Sequence, residues 1–405
     1  MSQIIEIIIT GEHQPKHVDE ILQTLSPYNV TLLDINQAVV CDSLTLALLV
    51  ELPPEQDQEA VLKNALYRAH NLGLHLEFSQ VSPEDYGDWF RGQRNTRYII
   101  TVLGPSLTTR HLAAITELTT SCGLEIYFTH RLSARRSLAS QDSEKRPTCI
   151  ELDLRGPAVD ISRLRREFHS LSQSFGIDIG IQEDTPYRRH RRLIAFDMDS
   201  TLIRSEVIDE LAKRAGVESE VCSITERAMN GELDFKQSLA HRVAQLQGLP
   251  VSELEGVARE MPLTDGAERL IRNLKALGYK VAIISGGFNF FGRRLQQQLD
   301  IDYVFANELE IEEDRLTGRV RGEIVDGEKK AELLRYLADK EDISLEQVIA
   351  VGDGANDLPM LNLAGLGIAF RAKPVVRKGA KQALSNMSLD CVLYFLGLGD
   401  REAIA

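Results

Sequence analysis

The chain has 405 residues, of which 43% are hydrophobic and 26% charged, so its length and composition fit roughly two to four soluble domains. Its formal net charge of −14 argues against general binding to nucleic acids or anionic membranes, and neither partner is expected. No apolar run approaches the ~18 residues of a membrane span, the N-terminus lacks a signal-peptide pattern, and five scattered cysteines form no CxxC pair, which together predict a cytoplasmic protein with reduced thiols.

Segment 1–85 has the hydrophobic pattern of a small α/β unit. The strand pattern "IIEIIITG" ends in Gly11 and precedes a helical pattern. Two strand patterns follow, "VTLLDINQAVV" and "LTLALLVELP", and a second helical pattern over 60–72 leads to a closing strand, "LHLEFSQV". The predicted order is therefore βαββαβ, which is typical of a ferredoxin-like unit.

Segment 96–184 repeats this order. The strand pattern "RYIITVLG" again ends in a glycine, Gly104, before a helical pattern. "LEIYFTHRL" and "CIELDLRG" supply the middle strands, and a helical pattern precedes the closing strand "IDIGIQE". Two ferredoxin-like βαββαβ domains are thus predicted in front of the remaining chain.

The two units resemble ACT domains, which are small regulatory modules that often bind amino acids at paired sheets. The resemblance is carried by the topology and by the strand-end Gly11 and Gly104. It implies an amino-acid effector at the N-terminal domains. The alternative is a pair of plain ferredoxin-like oligomerisation modules, and a homodimer is expected in either case.

The basic run "YRRHRR" at 187–192 follows the second unit. We predict a solvated linker between domains, with phosphate binding as the less favoured alternative.

Segment 191–405 has a different pattern, in which short apolar strands alternate with longer helices. "LIAFD", "KVAIIS" and "VIAVGD" are typical of buried parallel strands, so we predict a Rossmann-like doubly wound sheet in an α/β domain. The helical stretch 207–261 between the first two strands is too long for a simple crossover. It is predicted to form a helical cap.

Three strand ends in this segment carry polar side chains. They are, in chain order, Asp197, Asp199 and Thr201 in "DMDST"; Ser285, Gly286 and Gly287 in "SGG"; and Asp353, Asn356 and Asp357 in "GDGAND". Ligands of open parallel sheets lie beyond the carboxyl ends of the strands, so these clusters are expected to meet in one pocket.

The chemistry that suits such a pocket is phosphoryl transfer. Asp197 and Asp353 would repel each other without a cation between them, and carboxylate oxygens favour Mg²⁺. Ser285 and the following backbone N–H groups can donate hydrogen bonds to phosphate oxygens. A lysine is needed to offset the charge of the phosphoryl group, and "GEKKAELL" offers Lys329 and Lys330.

The ordered motifs resemble the haloacid dehalogenase superfamily of aspartate-nucleophile phosphatases. "DMDSTLIRSEVIDELAKRAG", "MNGELDFKQSLAHRV", "VAIISGGF" and "VGDGANDLPML" are similar, more closely, to the phosphoserine phosphatases across 193–373. The resemblance implies hydrolysis of O-phosphoserine to serine in serine biosynthesis, through an aspartyl-phosphate intermediate. This chain departs from the family core in its N-terminal extension.

The same resemblance implies a role for each matched residue. Asp197 would be the nucleophile and Asp199 the general acid and base. Mg²⁺ would be held by Asp197, the backbone carbonyl of Asp199 and Asp353, with Asp357 supporting them from behind. The residues matched to the family's substrate-binding positions are Glu206 for the ammonium group, Arg242 for the carboxylate, Met229 and Phe235 for the apolar closure, and Ser285, Gly286, Lys330 and Asn356 for the phosphate.

Two alternatives remain open at this point. One is a phosphatase for another small phosphorylated amino acid such as phosphohomoserine, because Glu206 and Arg242 do not measure the length of the head group. The other is an amino-acid-sensing regulatory protein with a degenerate catalytic domain. The intact set of Asp197, Asp199 and Asp353 argues against the second.

Overall fold

The computed structural model describes residues 3–93, 95–135 and 147–403. Its internal contacts divide the chain into two compact units, Met1–Asn95 and Thr96–Ala405. No helix within these described ranges is both long enough and apolar enough to cross a membrane.

The first unit is a four-stranded antiparallel sheet with α1 and α2 packed on one face. Its elements are β1 Gln3–Glu12, α1 His17–Leu25, β2 Thr31–Val40, β3 Ser43–Leu52, α2 Gln58–Asn71, β4 His75–Val81 and α3 Pro83–Gly92. The strand order is β2-β3-β1-β4. Alternate residues of β1, namely Ile5, Ile7 and Ile9, are buried, because successive side chains of a strand point to opposite faces. The predicted βαββαβ order is present, and α3 extends it.

The second unit begins with a sheet of the same connectivity. Its elements are β5 Thr96–Gly104, α4 Thr109–Ser121, β6 Glu125–Arg131, β7 Thr148–Gly156, α5 Ile161–Phe175 and β8 Asp178–Glu183. The order β6-β7-β5-β8 matches the order of the first sheet, strand for strand. The repeat predicted from two strand-end glycines is therefore present in the fold.

The prediction of a solvated linker at 187–192 is wrong for two of the six residues, although the other four are exposed. Arg188 is fully buried and forms an ion pair with the buried Glu151 of β7. Arg191 is also buried, and its Nη2 donates a hydrogen bond to Gln182 Oε1 at 3.2 Å. An arginine-rich stretch stays in solvent only where the fold places no carboxylate or amide beside it. Here Glu151 of β7 and Gln182 of β8 are those partners.

The rest of the second unit is a seven-stranded sheet with helices on both faces. The strands are β9 Leu193–Phe196, β10 Lys280–Phe288, β11 Tyr303–Glu312, β12 Arg315–Arg321, β13 Val348–Gly352, β14 Leu366–Phe370 and β15 Gln382–Leu384. Their order is β12-β11-β10-β9-β13-β14-β15, with β12 antiparallel and the other six parallel. This is the predicted Rossmann-like doubly wound arrangement, with one antiparallel edge strand.

Ten helices accompany this sheet in the described residues. They are α6 Val207–Ala215, α7 Glu218–Met229, α8 Phe235–Ala244, α9 Val251–Glu260, α10 Ala267–Ala276, α11 Asn289–Leu299, α12 Gly327–Lys340, α13 Leu358–Leu363, α14 Pro374–Gly379 and α15 Val392–Phe395. The first four occupy the stretch 207–261 that the sequence predicts as a helical cap.

The central strand β9 explains why the next residues are positioned so firmly. Ile194 and Phe196 pack into one apolar core, whereas Leu193 and Ala195 pack into another on the opposite face. β9 also pairs with β10 on one side and β13 on the other. A strand that is buried on both faces and paired on both edges leaves its carboxyl end at the centre of the sheet edge.

Candidate active site

Asp197 and Asp199 lie directly after β9, as the sequence predicts. The Asp197 N–H donates to the Val351 carbonyl of β13 at 2.9 Å, and its Oδ1 accepts from the Met198 N–H at 2.8 Å. Asp199 Oδ1 accepts from the Val207 N–H at 3.1 Å, at the start of α6. Both carboxylates are therefore fixed by backbone donors, and both are more than nine-tenths buried.

Lys330 lies between two of the predicted carboxylates. Its Nζ is 3.0 Å from Asp197 Oδ1 and 2.6 Å from Asp357 Oδ1, and the side chain has no solvent exposure. The other oxygen of Asp357, Oδ2, accepts from the Gly354 N–H at 2.9 Å. Asp357 thus has both oxygens bound by donors of this chain, and it holds the ammonium group against Asp197.

The neighbouring Lys329 points away from these carboxylates. Its Nζ forms ion pairs with Glu323 at 2.8 Å and with Glu332 at 3.0 Å on the protein surface. Of the two lysines that the sequence left open, Lys330 is therefore the one beside the pocket carboxylates.

Ser285 lies in the carboxyl-terminal half of β10, beside the carboxylates. Its Oγ accepts from the Gly287 N–H at 3.0 Å. A Cβ at Gly287 would collide with Asp199 Oδ2, and one at Gly286 would lie 2.8 Å from the Phe235 ring of the cap. The two glycines therefore let the backbone approach both the sheet-end carboxylate and the cap.

One carboxylate just before the cap and one guanidinium from the cap line the pocket. Glu206 precedes α6, and its Oε1 accepts from the Ser200 hydroxyl at 2.8 Å. Arg242 comes from α8, and its Nε is buried without a hydrogen-bond partner among the described residues. An unsatisfied buried guanidinium nitrogen is costly, so this geometry favours an anionic ligand at Arg242.

These residues enclose one cleft of about 200 Å³. Its lining includes the predicted Asp197, Asp199, Glu206, Phe235, Arg242, Ser285, Gly286, Asp353 and Asn356. Lys330 and Asp357 lie behind this lining. The Met229 side chain falls outside the part of the structure that is described, so the prediction for it stays a prediction.

Negative charge is crowded in the cleft. Burial raises the pKa of Asp199 well above its usual value, and the charges of Glu206 and Asp197 raise it further. Burial, with the charges of Asp197 and Asp357, raises the pKa of Asp353 to about 8. Burial lowers the pKa of Lys330, but Asp197 and Asp357 outweigh it, and the net pKa is raised.

The donor set fits a hard metal ion. Carboxylate oxygens of Asp197, Asp353 and Asp357 lie within 4.8 Å of one another. Five buried or half-buried carboxyl groups face only two cations, so negative charge is in excess; they are Asp197, Asp199, Glu206, Asp353 and Asp357, against Lys330 and Arg242. A divalent cation at the oxygen cluster would relieve that excess.

This charge excess makes Asp353→Asn a stabilising change in metal-free protein. Because the folded state raises the pKa of Asp353 from 3.8 to about 8, the native state binds its proton more tightly than the unfolded chain. The stability of the metal-free protein therefore falls as pH rises through this window. We expect Asp353→Asn to raise the melting temperature at pH 8 by about 2–4 °C, corresponding to ~1 kcal/mol.

The measurement is thermal unfolding in EDTA at pH 5 and pH 8. The difference between the variant and the parent should be smaller at pH 5 than at pH 8, and it should vanish only below about pH 3.8, where Asp353 is protonated in both the native and the unfolded state. The exposed Asp265→Asn, which also converts a carboxylate to an amide, is the control and should change neither value by more than about 1 °C. A lower melting temperature for Asp353→Asn at pH 8 would contradict this account of the cluster.

The structure adds positioning residues that the sequence did not single out. Ser200 has a left-handed backbone with φ of 56°, which is uncommon outside glycine and brings its hydroxyl to Glu206.

The buried Asn307 donates from Nδ2 to the Gly286 carbonyl at 2.8 Å and accepts at Oδ1 from the Val325 N–H at 2.9 Å. Thr201 Oγ1, noted only as a polar strand-end group, donates to Asp353 Oδ1 at 3.3 Å. Asn307 lies mid-strand in "YVFANEL", where a polar residue in an apolar run was the available signal.

Two family profiles match the chain. The haloacid dehalogenase-like hydrolase family matches residues 194–362, and the ACT domain family matches residues 3–79. The first match contains all three polar strand ends, and the second coincides with the sheet of the first unit.

Full-length relatives and solved structures agree with these matches. The chain is 42% identical to a phosphoserine phosphatase of Streptomyces coelicolor over 98% of this chain and 93% of the relative. It is 38% identical to the phosphoserine phosphatase SerB2 of Mycobacterium tuberculosis over 98% of this chain and 94% of that relative. A solved HAD family hydrolase of Salmonella enterica serovar Typhi, 34% identical, covers 75% of this chain and 99% of its own with a TM-score of 0.63. A solved probable phosphoserine phosphatase of Vibrio cholerae is 36% identical. The match covers 77% of this chain and 89% of that one, with a TM-score of 0.59.

The matches extend over nearly the whole length of the Streptomyces and Mycobacterium relatives, and the cleft brings together the residues of the family motifs. The chain therefore belongs to the phosphoserine phosphatase family of haloacid dehalogenase-like hydrolases, with an ACT domain in front of the catalytic domain.

Proposed function

We propose that this chain hydrolyses O-phosphoserine to serine and phosphate, through a phosphoryl group carried on Asp197. One observation carries the proposal. The buried carboxylate of Asp197 shares a cleft with a buried acid, Asp199, and with an unsatisfied arginine, Arg242, that no catalytic step of phosphoryl transfer requires. A site for phosphate alone would not need that arginine, whereas a phosphorylated amino acid supplies its carboxylate partner.

In the first step, the proposed nucleophile is an oxygen of Asp197. It attacks phosphorus, and the bond between phosphorus and the serine oxygen breaks. Lys330, 3.0 Å from Asp197, offsets the charge that builds up on the transferring group. The Ser285 hydroxyl, the Gly286 N–H and the Asn356 side chain line the same cleft and can donate to phosphate oxygens.

Asp199 is the proposed general acid and base. Burial, followed by the charges of Glu206 and Asp197, raises its pKa and so favours the protonated carboxyl, which can give its proton to the departing serine oxygen. The resulting carboxylate then accepts a proton from the water that hydrolyses the phosphoryl group on Asp197. The same residue thus serves both half-reactions in opposite directions.

Mg²⁺ is the proposed metal, held by Asp197, Asp353 and the backbone carbonyl of Asp199. When bound, it would reduce the repulsion between the carboxylate nucleophile and the phosphate dianion. Asp357 is proposed to orient the cluster without binding the metal, because both of its oxygens accept hydrogen bonds from Lys330 and the Gly354 N–H.

The serine head group is proposed to lie between Glu206 and Arg242. The Glu206 carboxylate suits the ammonium group, and the Arg242 guanidinium suits the carboxylate through two parallel hydrogen bonds. Phe235 would close over the substrate from the cap and exclude water, and Met229 is proposed to assist it. The 207–261 segment would then act as a lid.

Arg242→Ala tests this assignment. We expect kcat/KM for O-phosphoserine to fall by about 10²–10³, the loss typical of a buried charge-assisted pair. O-phosphoethanolamine has the ammonium group but no carboxylate, so its kcat/KM should fall by less than about threefold. The control is Arg319→Gln on the edge strand β12, an exposed arginine that does not line the cleft. Equal losses on the two substrates would contradict the proposed carboxylate contact.

The function itself is tested by phosphate release from a panel of phosphorylated amino acids, with Mg²⁺ and with EDTA. O-phosphoserine should exceed phosphohomoserine in kcat/KM by about tenfold or more, since one extra methylene is worth that much in a fitted pocket. EDTA should abolish turnover, and Mg²⁺ should restore it. A preference for phosphohomoserine would favour the alternative substrate, and no turnover of any substrate would favour a degenerate, sensing protein.

We further propose three domains, 1–85, 96–184 and 191–405, and an amino-acid effector that acts at the N-terminal domains. The ACT domain match over 3–79 supports the effector.

A homodimer is also proposed, because the edge strand β2 exposes the apolar Leu32, Ile35 and Val40. The five unpaired cysteines are consistent with the proposed cytoplasmic location.

Removal of Met1–Asn95 tests the effector. If serine acts there, the shortened chain should keep its turnover and lose inhibition by serine, with the inhibition constant rising by at least about tenfold. The cut is at residue 95 because strand β8 packs against the catalytic part, where Gln182 Nε2 donates to the Phe395 carbonyl at 2.9 Å. Cutting after β8 would expose that buried surface. Unchanged inhibition in the shortened chain would leave the first unit as a structural module.

A further inference from the structure

A second cleft in the Thr96–Ala405 unit shares no lining residue with the active-site cleft. It has a volume of about 870 Å³ and lies between α5 and β8 on one side and the segment from α13 to 386 on the other. Its size is that of pockets that hold small organic ligands, about 300–1,000 Å³.

Basic side chains from both sides line this cleft. α5 contributes Arg165, Arg166 and His169, and the segment around α14 contributes Arg377, Lys378 and Lys381. Among the described lining residues, the one acid is Asp178, whose two oxygens accept from the backbone N–H groups of Ser385 and Asn386, both at 2.9 Å. Positive charge is thus concentrated here in a chain whose formal net charge is −14.

Two of these cations have a buried nitrogen without an acceptor among the described residues. The Nε atoms of Arg165 and Arg377 are buried and have no hydrogen-bond partner among the described residues. None of the ion pairs between described residues involves Arg165, Arg377 or Lys378. Buried guanidinium nitrogens without an acceptor are rare in folded proteins, and a ligand that supplies acceptors would remove the cost.

The cations also act on one another. Burial lowers the pKa of His169, and the charges of Arg377 and Lys378 lower it further. Burial likewise lowers the pKa of Lys381, although Glu346 opposes this, and the charge of Arg165 adds to the lowering. Groups from the two sides of the cleft are therefore close enough for mutual repulsion, which an anion between them would offset.

We propose that this cleft binds a small molecule that carries two or more phosphate groups. Arginine forms two parallel hydrogen bonds to a phosphate, and four or more cations call for several negative charges on the ligand. A polyphosphate would reach from α5 to α14 and join the two sides of the cleft. A nucleic acid is disfavoured, because the basic residues line a closed-in cleft and the chain as a whole is acidic.

The test is calorimetric titration of inorganic tripolyphosphate into the full chain, at constant ionic strength and without Mg²⁺. The parent should bind it. Arg165→Gln combined with Arg377→Gln should raise the dissociation constant by at least about tenfold. The exposed Lys378→Gln, which leaves the core untouched, should weaken it by about threefold. Melting temperatures of all variants establish that they fold.

The matched control removes two charges elsewhere in the same unit. Arg319→Gln combined with Arg321→Gln changes exposed residues of β12, at the opposite edge of the seven-stranded sheet from β15, and should alter binding by less than about twofold. Equal weakening by both double variants would overturn the proposal, because it would indicate general charge attraction. A second contradicting result would be that Arg242→Ala abolishes binding while the Arg165→Gln/Arg377→Gln variant retains it. The anion would then occupy the active site.

Two further results would overturn the proposal. One is no binding of tripolyphosphate by the parent chain. The other is equally tight binding of citrate, which would contradict the assignment to phosphate groups. The readout is heat of binding and not turnover, so the result is independent of whether the chain hydrolyses O-phosphoserine.

Discussion

Asp197→Asn should reduce kcat for O-phosphoserine by at least about 10⁴-fold while the chain remains folded. The amide is the same size as the carboxylate and keeps the Oδ1 acceptor for the Met198 N–H, but it cannot attack phosphorus. The loss should appear in kcat, because the substitution leaves the proposed contacts of Glu206 and Arg242 with the head group in place. The measurement is steady-state phosphate release, with melting temperature as the test of folding.

The control for this variant is Asp265→Asn, another carboxylate-to-amide change in the same unit. Asp265 is exposed and paired with Arg204, away from the cleft, so its turnover should stay within about twofold of the parent. If Asp197→Asn keeps more than about one hundredth of the parent turnover, a covalent role for Asp197 is wrong.

Asp199→Asn should separate the two half-reactions. For O-phosphoserine, which has a poor leaving group, kcat should fall by about 10²–10⁴, the usual contribution of a general acid. p-Nitrophenyl phosphate needs no proton on its leaving group, so its first step should survive. Hydrolysis of the phosphoryl group on Asp197 should still be slow, because the base is missing. Rapid mixing should then show a burst of about one nitrophenolate per active site, followed by a slow phase.

The parent chain and Asp265→Asn are the comparisons for this experiment, and neither should show a burst of the same amplitude. The asparagine retains an acceptor for the Val207 N–H, so the start of α6 should be undisturbed. Loss of the burst, with both substrates slowed equally, would contradict the assignment of Asp199 to proton transfer.

The strand ends could be predicted from the sequence because the signals are local. A run of four apolar residues before Asp197 predicts a buried strand, and the end of a parallel strand fixes where the next two residues point. The same logic located Ser285 in the carboxyl-terminal half of β10 and Asp353 directly after β13. The cap was also predictable, since 207–261 carries a helical period over a length that no simple crossover needs.

Residues whose role depends on distant partners were harder to predict. Arg188 was assigned to a solvated linker, but its partner Glu151 lies 37 residues away, on β7. Asn307 of β11 donates to the Gly286 carbonyl of the neighbouring strand β10, and its only signal in the sequence is a polar residue within an apolar run. Such contacts depend on which strands become neighbours, which composition does not encode.

The choice between Lys329 and Lys330 was open on motif alignment, yet the sequence contained a signal. α12 buries Leu334, Leu337 and Ala338, and Lys330 lies on the same face, four residues before Leu334. Lys329 lies one position earlier, off that face. The apolar period of the helix therefore indicates which lysine turns inward.

The most direct measurement is rapid-quench mass spectrometry of the full chain during turnover of O-phosphoserine with Mg²⁺. The account predicts a transient gain of one phosphoryl group, mapped by peptide analysis to Asp197 and absent from Asp197→Asn. Asp199→Asn should accumulate the same adduct to a higher level, because its hydrolysis is slowed. Serine release at the full rate with no phosphorylated chain at any time, or an adduct on another residue, would contradict the account.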